Sequence, residues 1–445
     1  MTTSRACAIT GPRILAIALP VVLSNATVPL QGAVDTAIIG NVGSQAALGG
    51  VGVGAAIFSL VFMAFNFLQM GCSGLTAQAL GAGDTRRVLN TLARTLVIAL
   101  AIAAALIVLQ GPILALMMRF FAGGEEMQAA ASLYFSIRIW GAPFELASYA
   151  VIGWFAGQER TQLLFRQQLV TTLSNIALSL IFGWWLGFGL AGVASATVLS
   201  AALGLGYGLW MARARRLAMM PDWQPDWARI LKGEELLRVM ALNRDIFIRS
   251  ALLTFSFAWI TRLGAQQGET VLAANVVLMQ LLSISSYGLD GFAMAAETLV
   301  GQAKGARDRI AFRVAAMRTS LWCGALALGV SVLFLVFREP LIAVLTDLPE
   351  VREVAGRYAF WAVLAPMAGF ACYQLDGIFI GATASGAMRN AMIVTAMVFF
   401  PLSLWLAGAF GNTGVWASLY AMFALRTGTL LIAYPAVEKS VPSAP

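Results

Sequence analysis

The sequence repeats itself. AQALGAGD at 77–84 returns as GQAKGARD at 301–308, a displacement of 224 residues, and at the same displacement Gly40 meets Gly264, Leu48 meets Leu272 and Gly157 meets Gly381. Two copies of one ancestral unit therefore make up nearly the whole chain, and such a self-similarity constrains the architecture before any single residue does. The repeated material is overwhelmingly apolar: 60% of the 445 residues are hydrophobic and 11% are charged, against about 25% charged in a soluble protein. Such a chain cannot cover a water-facing surface. Repeat and composition together point to a two-lobed membrane transporter architecture, with a central site between or within the lobes.

A membrane-crossing helix needs about 20 mostly apolar residues. Twelve such runs can be placed, at 14–39, 46–72, 90–117, 129–155, 163–186, 189–212, 245–266, 271–298, 312–337, 354–380, 388–409 and 413–435. The expectation is an all-α integral membrane protein of twelve transmembrane helices. They form an N-terminal six-helix lobe (1–212), a basic linker (213–244) and a C-terminal six-helix lobe with a short tail (245–445). The first run is too long for a signal-peptide core and contains Pro20, Asn25, Gln31 and Asp35, so it reads as a span rather than a cleaved leader.

Histidine is absent, which excludes His-based catalysis, His metal ligands and His proton relays. Cys7, Cys72, Cys323 and Cys372 are scattered without metal-ligand spacing; no metal or cofactor is expected, and three of them read as small buried apolar groups. The net charge of +8 is no nucleic-acid signature, because the basic residues sit in short gaps between apolar runs. Of the 29 Lys and Arg, all but Arg119, Arg138, Arg262, Arg338, Arg352 and Arg357 fall to one side of the membrane on this topology. Cytoplasmic loops hold that excess, so both termini and the linker are expected inside. Both copies of the repeated motif are followed by arginines on that same side. Each half then has an even number of spans, and the repeat is parallel, a pseudo-two-fold along the membrane normal.

Ionisable groups in the hydrocarbon core cost at least ~2.5–3.5 kcal/mol on insertion scales and mark function by default. Asp35, in VPLQGAVDTAIIG, is the clearest; Ser24, Gln31 and Asp35 share one helix face by their seven- and four-residue spacing. Pro20 and Pro29 lack an N–H and cannot supply the helical bonds to Ala16 and Asn25, weakening the same helix. No base is evident near Asp35. Gln168, Thr171 or Thr172, Asn175 and Ser179 form a stripe on the fifth span, and Ser195, Thr197 and Ser200 lie on the sixth; these serve either as company for Asp35 or as helix-to-helix glue. In the C-terminal lobe, Asp290 and Glu297 share a face of the eighth span and Asp376 lies in the tenth. The repeat counterpart of Asp290 is Asn66. Glu297, near Lys304 and Arg307, reads as a surface residue; Glu145 stays ambiguous. Gly204 and Gly208 would let helices approach closely.

VDTAIIG in the first span, GLTAQALGAGD after the second, LNRDIFIRS opening the seventh, YGLDGFAMAAETLVGQAKGARD at the eighth and LDGIFIGATASGAMRN at the tenth resemble the multidrug and toxic compound extrusion (MATE) family, and within it the DinF branch. The resemblance spans about 10–435. It implies two six-helix lobes around a cavity and export driven by protons or sodium. It also implies that Asp35 is the essential first-helix acid, whose protonation is linked to bending at Pro20, and that Asn175 and Thr197 belong to the same N-lobe site. The family commonly has Asp where this chain has Ser179, which removes a carboxylate that a hard cation would want and favours protons over sodium. By the same resemblance Asp290 and Asp376 represent the C-lobe acids and, with Gln31 and Asn66, are the substrate or cavity candidates.

The expected activity is a secondary antiporter exporting cationic or amphiphilic compounds from a bacterial inner membrane. Proton and substrate would compete for the charge of Asp35, because a carboxylate withdrawn from water is costly in its charged form. Each would favour a different shape of the lobe. The expected partners are small amphiphilic molecules and the bilayer, with a monomer sufficing. The rivals are a flippase for lipids or lipid precursors, which would need a basic lumen where the candidates here are mostly acidic, a channel, and a membrane-embedded enzyme, for which no nucleophile–base set or phosphate loop is visible.

Overall fold

The computed structural model describes residues 8–42, 45–63, 65–120 and 124–442; Cys7 lies outside them. The helices, in order, are α1 (Gly11–Val42), α2 (Gln45–Met63), α3 (Phe67–Gly81), α4 (Thr85–Val108), α5 (Gln110–Phe120), α6 (Glu125–Arg138), α7 (Ala142–Gly157), α8 (Thr161–Ser179), α9 (Gly189–Met219), α10 (Trp227–Ile230), α11 (Gly233–Ala265), α12 (Glu269–Gly305), α13 (Arg309–Val336), α14 (Arg338–Leu345), α15 (Pro349–Gly381) and α16 (Ser385–Lys439). No strand occurs among the described residues. The expected all-α class holds.

Eight of these helices are long and apolar enough to cross a membrane: α1, α4, α9, α11, α12, α13, α15 and α16. Several expected runs are broken. The run at 46–72 is two helices, α2 and α3, with Asn66 at their joint; the run at 129–155 changes from α6 to α7 through a 3-10 turn at Ile139–Gly141. α16 contains the last two runs. At Gly411 its backbone turns to φ 56°, ψ −135°, which only glycine adopts without strain. The expected linker is partly helical, since α9 runs on to Met219 and α11 begins at Gly233.

The chain forms two compact units, Leu23–Val239 and Met1–Val22 with Met240–Pro445. The chain crosses between them twice, once inside α1 after Val22 and once after Val239, within the expected linker 213–244. Within the first unit α3 packs on α7, α2 on α6 and α8 on α9; within the second α12 packs on α13 and α15, and α15 on α16. Phe58, Phe135, Trp154 and Phe155 are fully buried in the first unit, and Phe399, Trp416 and Phe423 in the second. Outward-facing side chains are apolar too: Val108, Trp185, Trp210, Leu335 and Ile432 are all exposed, an arrangement that suits lipid rather than water.

The 224-residue displacement holds down to single backbone angles. Asp84 caps α4 by accepting from the Arg87 N–H at 2.9 Å, and Asp308 caps α13 by accepting from Ala311 at 2.8 Å. The turns before these caps carry positive φ at Gly83 and Arg307; Glu159 and Thr383 form a second such pair, and Gly187 and Gly411 a third. Gly153 and Gly157 lie against the backbone of Gln69 and Ser73, as Gly377 and Gly381 lie against that of Ala293 and Glu297. Gly204 and Gly208 are pressed against the side chains of Thr171 and Gln167 on α8, the close approach expected of them.

Candidate functional site

Asp35 lies on the buried face of α1, 8% exposed, with Ser24 buried and Gln31 half-buried on the same side. The Ser179 hydroxyl donates to its Oδ1 at 2.7 Å. One turn earlier on α8, the Asn175 amide donates to Thr197 Oγ1 on α9 at 3.2 Å, and Thr197 in turn donates to its own helix at Val193 O. Asn175 and Ser179 are fully buried. The Asn175 carbonyl oxygen is buried with no hydrogen-bond donor, leaving an acceptor free in the site. Immediately after Ser179 the helix widens into a π turn over Leu180–Trp185, closed by the Leu186 N–H on Ile181 O. Such turns disturb the regular helical ladder and recur at functional positions. Gly183 in this turn packs on Ile38 of α1, one turn beyond Asp35.

The expectation that Asp35 has no base nearby is corrected. Arg138 at the end of α6 interacts electrostatically with it. Its guanidinium donates to the Tyr134 hydroxyl at 3.1 Å, sits 3.5 Å from Glu145 and lies over the Phe58 ring at 4.7 Å. Glu145 is therefore an ion-pair partner. Of the remaining polar residues, Ser200 bonds the backbone of its own helix, whereas Thr172 reaches across to Thr27 on α1.

Pro20 lies in the part of α1 that belongs to the other unit; there Gly291 of α12 comes against Ala18 and Val22. α1 stays helical through both prolines. Asp290 is exposed, and Asp376, the other C-lobe candidate, lies against a small cavity together with two arginines. Asp376 is buried, and Arg249 and Arg426 both donate to its Oδ2, Arg426 at 2.5 Å. These two arginines, counted from sequence among the cytoplasmic charges, are buried inside α11 and α16. Glu297 is likewise buried rather than on the surface. The motifs LNRD and SGAMRN meet in a separate cluster, where Asp245 takes Arg389 at 2.7 Å and the Ser385 hydroxyl at 3.4 Å.

The MatE family model matches this chain twice, over residues 20–181 and 246–407. The chain belongs to the MatE family. The two matched segments run in the same order and begin 226 residues apart, at 20 and 246, close to the displacement of the motifs. Among its MatE relatives, the DNA damage-inducible protein F of Escherichia coli K12 is 39% identical over 410 residues, covering 92% of this chain and 89% of that protein. A probable multidrug resistance protein NorM of Rhizobium meliloti is 27% identical over 412 residues, covering 86% and 84%. The bent form of the Vibrio cholerae MATE transporter VcmN superposes with a TM-score of 0.84 at 18% identity, over 98% of each chain. As a MatE protein the chain is a multi-pass membrane transporter and not an enzyme. Cys72, Cys323 and Cys372 are buried and form no disulfide among the described residues.

Proposed function

We propose that the chain is a multidrug or toxin efflux antiporter that exports cationic or amphiphilic compounds in exchange for protons. The observation that carries this reading is the buried carboxylate of Asp35, met by a hydroxyl at 2.7 Å where a second acid would favour a metal cation. In this reading the proton and the cationic substrate compete for one negative charge. Coupling follows if each has a different affinity for the two states of the transporter. Arg138 tempers that charge, and the open acceptor on Asn175 offers a place for the proton's hydrogen bond. Asp35, Asn175, Thr197 and Ser179 are the coupling residues, Pro20 the bend, and Gln31, Asn66, Asp290 and Asp376 cavity candidates. The protein acts as a monomer in a bacterial inner membrane, with both termini cytoplasmic by the distribution of Lys and Arg.

The test is dye export from proteoliposomes with proton and sodium gradients imposed separately. A proton gradient alone is expected to drive export, and a sodium gradient alone to leave it at background; the reverse result would overturn the choice of ion. In the same vesicles, Ser179→Asp supplies the missing carboxylate and is expected to make a sodium gradient effective. If that variant still ignores sodium, the hydroxyl at 179 does not select the ion.

A further inference from the structure

In the unit that holds α11 to α16, two guanidiniums converge on one oxygen. Arg249 and Arg426 both donate to Asp376 Oδ2, and all three side chains are buried. An arginine side chain carries five N–H donors, yet these are the only side-chain hydrogen bonds shown for either among the described residues, and the Nε of Arg249 is shut away from solvent with no acceptor. Two cations share one hydrogen-bonded anion, Asp376, so the second balancing charge must come from outside that contact. Asp290 acts on both arginines electrostatically but bonds neither, and its side chain remains accessible. Beside the cluster lies a cavity of about 10 Å³, bounded by the three charged residues with Met388, Met392 and Leu430. That is room for about one water-sized group.

We propose that Arg249 and Arg426 form an anion subsite, which takes a small inorganic anion or the acidic head of an amphiphile, with Asp290 as the charge the ligand displaces. The planar guanidinium fork matches a carboxylate or halide and is cheaper to dehydrate than an ammonium. The surrounding methionines adapt to an apolar tail. A cavity of about 10 Å³ excludes a whole drug molecule, and an acidic head enters it only as the flexible side chains of Met388 and Met392 give way. The subsite does not depend on the reading of Asp35, because it needs neither proton coupling nor cation binding.

The experiment is thermal unfolding of the full chain in nanodiscs, titrated with chloride or with octanoate, with sodium HEPES holding the ionic strength. A saturable rise in the midpoint is expected. Asp290→Asn breaks no hydrogen bond and removes the competing charge, so half-saturation should fall about fivefold or more. Arg426→Gln combined with Asp376→Asn leaves no orphaned acid and should abolish the response. A response to chloride alone assigns the subsite to a free ion, and a response to octanoate alone to a ligand head. A midpoint indifferent to both probes in the wild type and in Asp290→Asn overturns the proposal, as does an unchanged half-saturation in Asp290→Asn.

Discussion

Asp35→Asn is expected to reduce export against a gradient to background while leaving the protein folded. The amide is nearly isosteric with the carboxylate, and its oxygen can still accept from Ser179 Oγ, now 2.7 Å from Asp35 Oδ1, so α1 and α8 keep their contact. What is lost is the charge and the proton site. A ligand that binds both states equally shifts neither, and an asparagine binds no proton in either. Coupling free energies of this kind correspond to about 5–150-fold in affinity, and their removal leaves leak as the only flux. The loss of charge also removes the counterion that Arg138 feels from α1, so Arg138 should rest wholly with Glu145 and Tyr134. The measurement is dye export from everted vesicles beside a thermal midpoint of the purified variant. Normal export by a folded Asp35→Asn protein would end the assignment of the coupling site.

Most of the architecture was legible because lipid imposes strong rules on sequence. Apolar runs of about 20 residues follow from the thickness of the bilayer and the motif returning after 224 residues from two copies of one unit, and the helices fall where those runs lie. The interruptions were less legible. The joint at Asn66, the π turn after Ser179 and the division of α1 between units arise from packing between distant segments, which hydropathy averages away. The same limit explains the site. Helical spacing placed Asp35 on a buried face and Asn175 and Ser179 on one stripe, and both stripes meet in the structure. Arg138 was missed because its partner Asp35 lies about a hundred residues away in sequence. Arg249 and Arg426 left a signal that composition obscured. An arginine inside an apolar run needs an acid, and Asp376, in an apolar stretch of its own, was the acid to pair with them.

Gly381→Val is expected to destabilise the protein more than any substitution at the polar sites. A Cβ at Gly381 would fall on the backbone carbonyl of Glu297, and one at Gly377 on that of Ala293, so α15 and α12 touch backbone to backbone. A side chain cannot be accommodated there by moving a flexible neighbour; the helices must separate. Overpacking of a tight contact costs about 1–3 kcal/mol and occasionally more, and valine brings two further methyl groups, so about 3 kcal/mol or more is expected against a total of about 5–15 kcal/mol. Gly157→Val, which drives a Cβ into Ser73 O across α7 and α3, should fail in the same way, because the repeat copies the contact as well as the sequence. The control is Gly428→Ala on α16, where nothing lies within 4 Å of an added Cβ and helix propensity favours alanine by about 1 kcal/mol. Thermal midpoints and folded yields in detergent decide the matter. If Gly381→Val melts with Gly428→Ala, the paired glycines are not what holds each unit together, and the helix contact must tolerate a separation that the backbone geometry does not suggest.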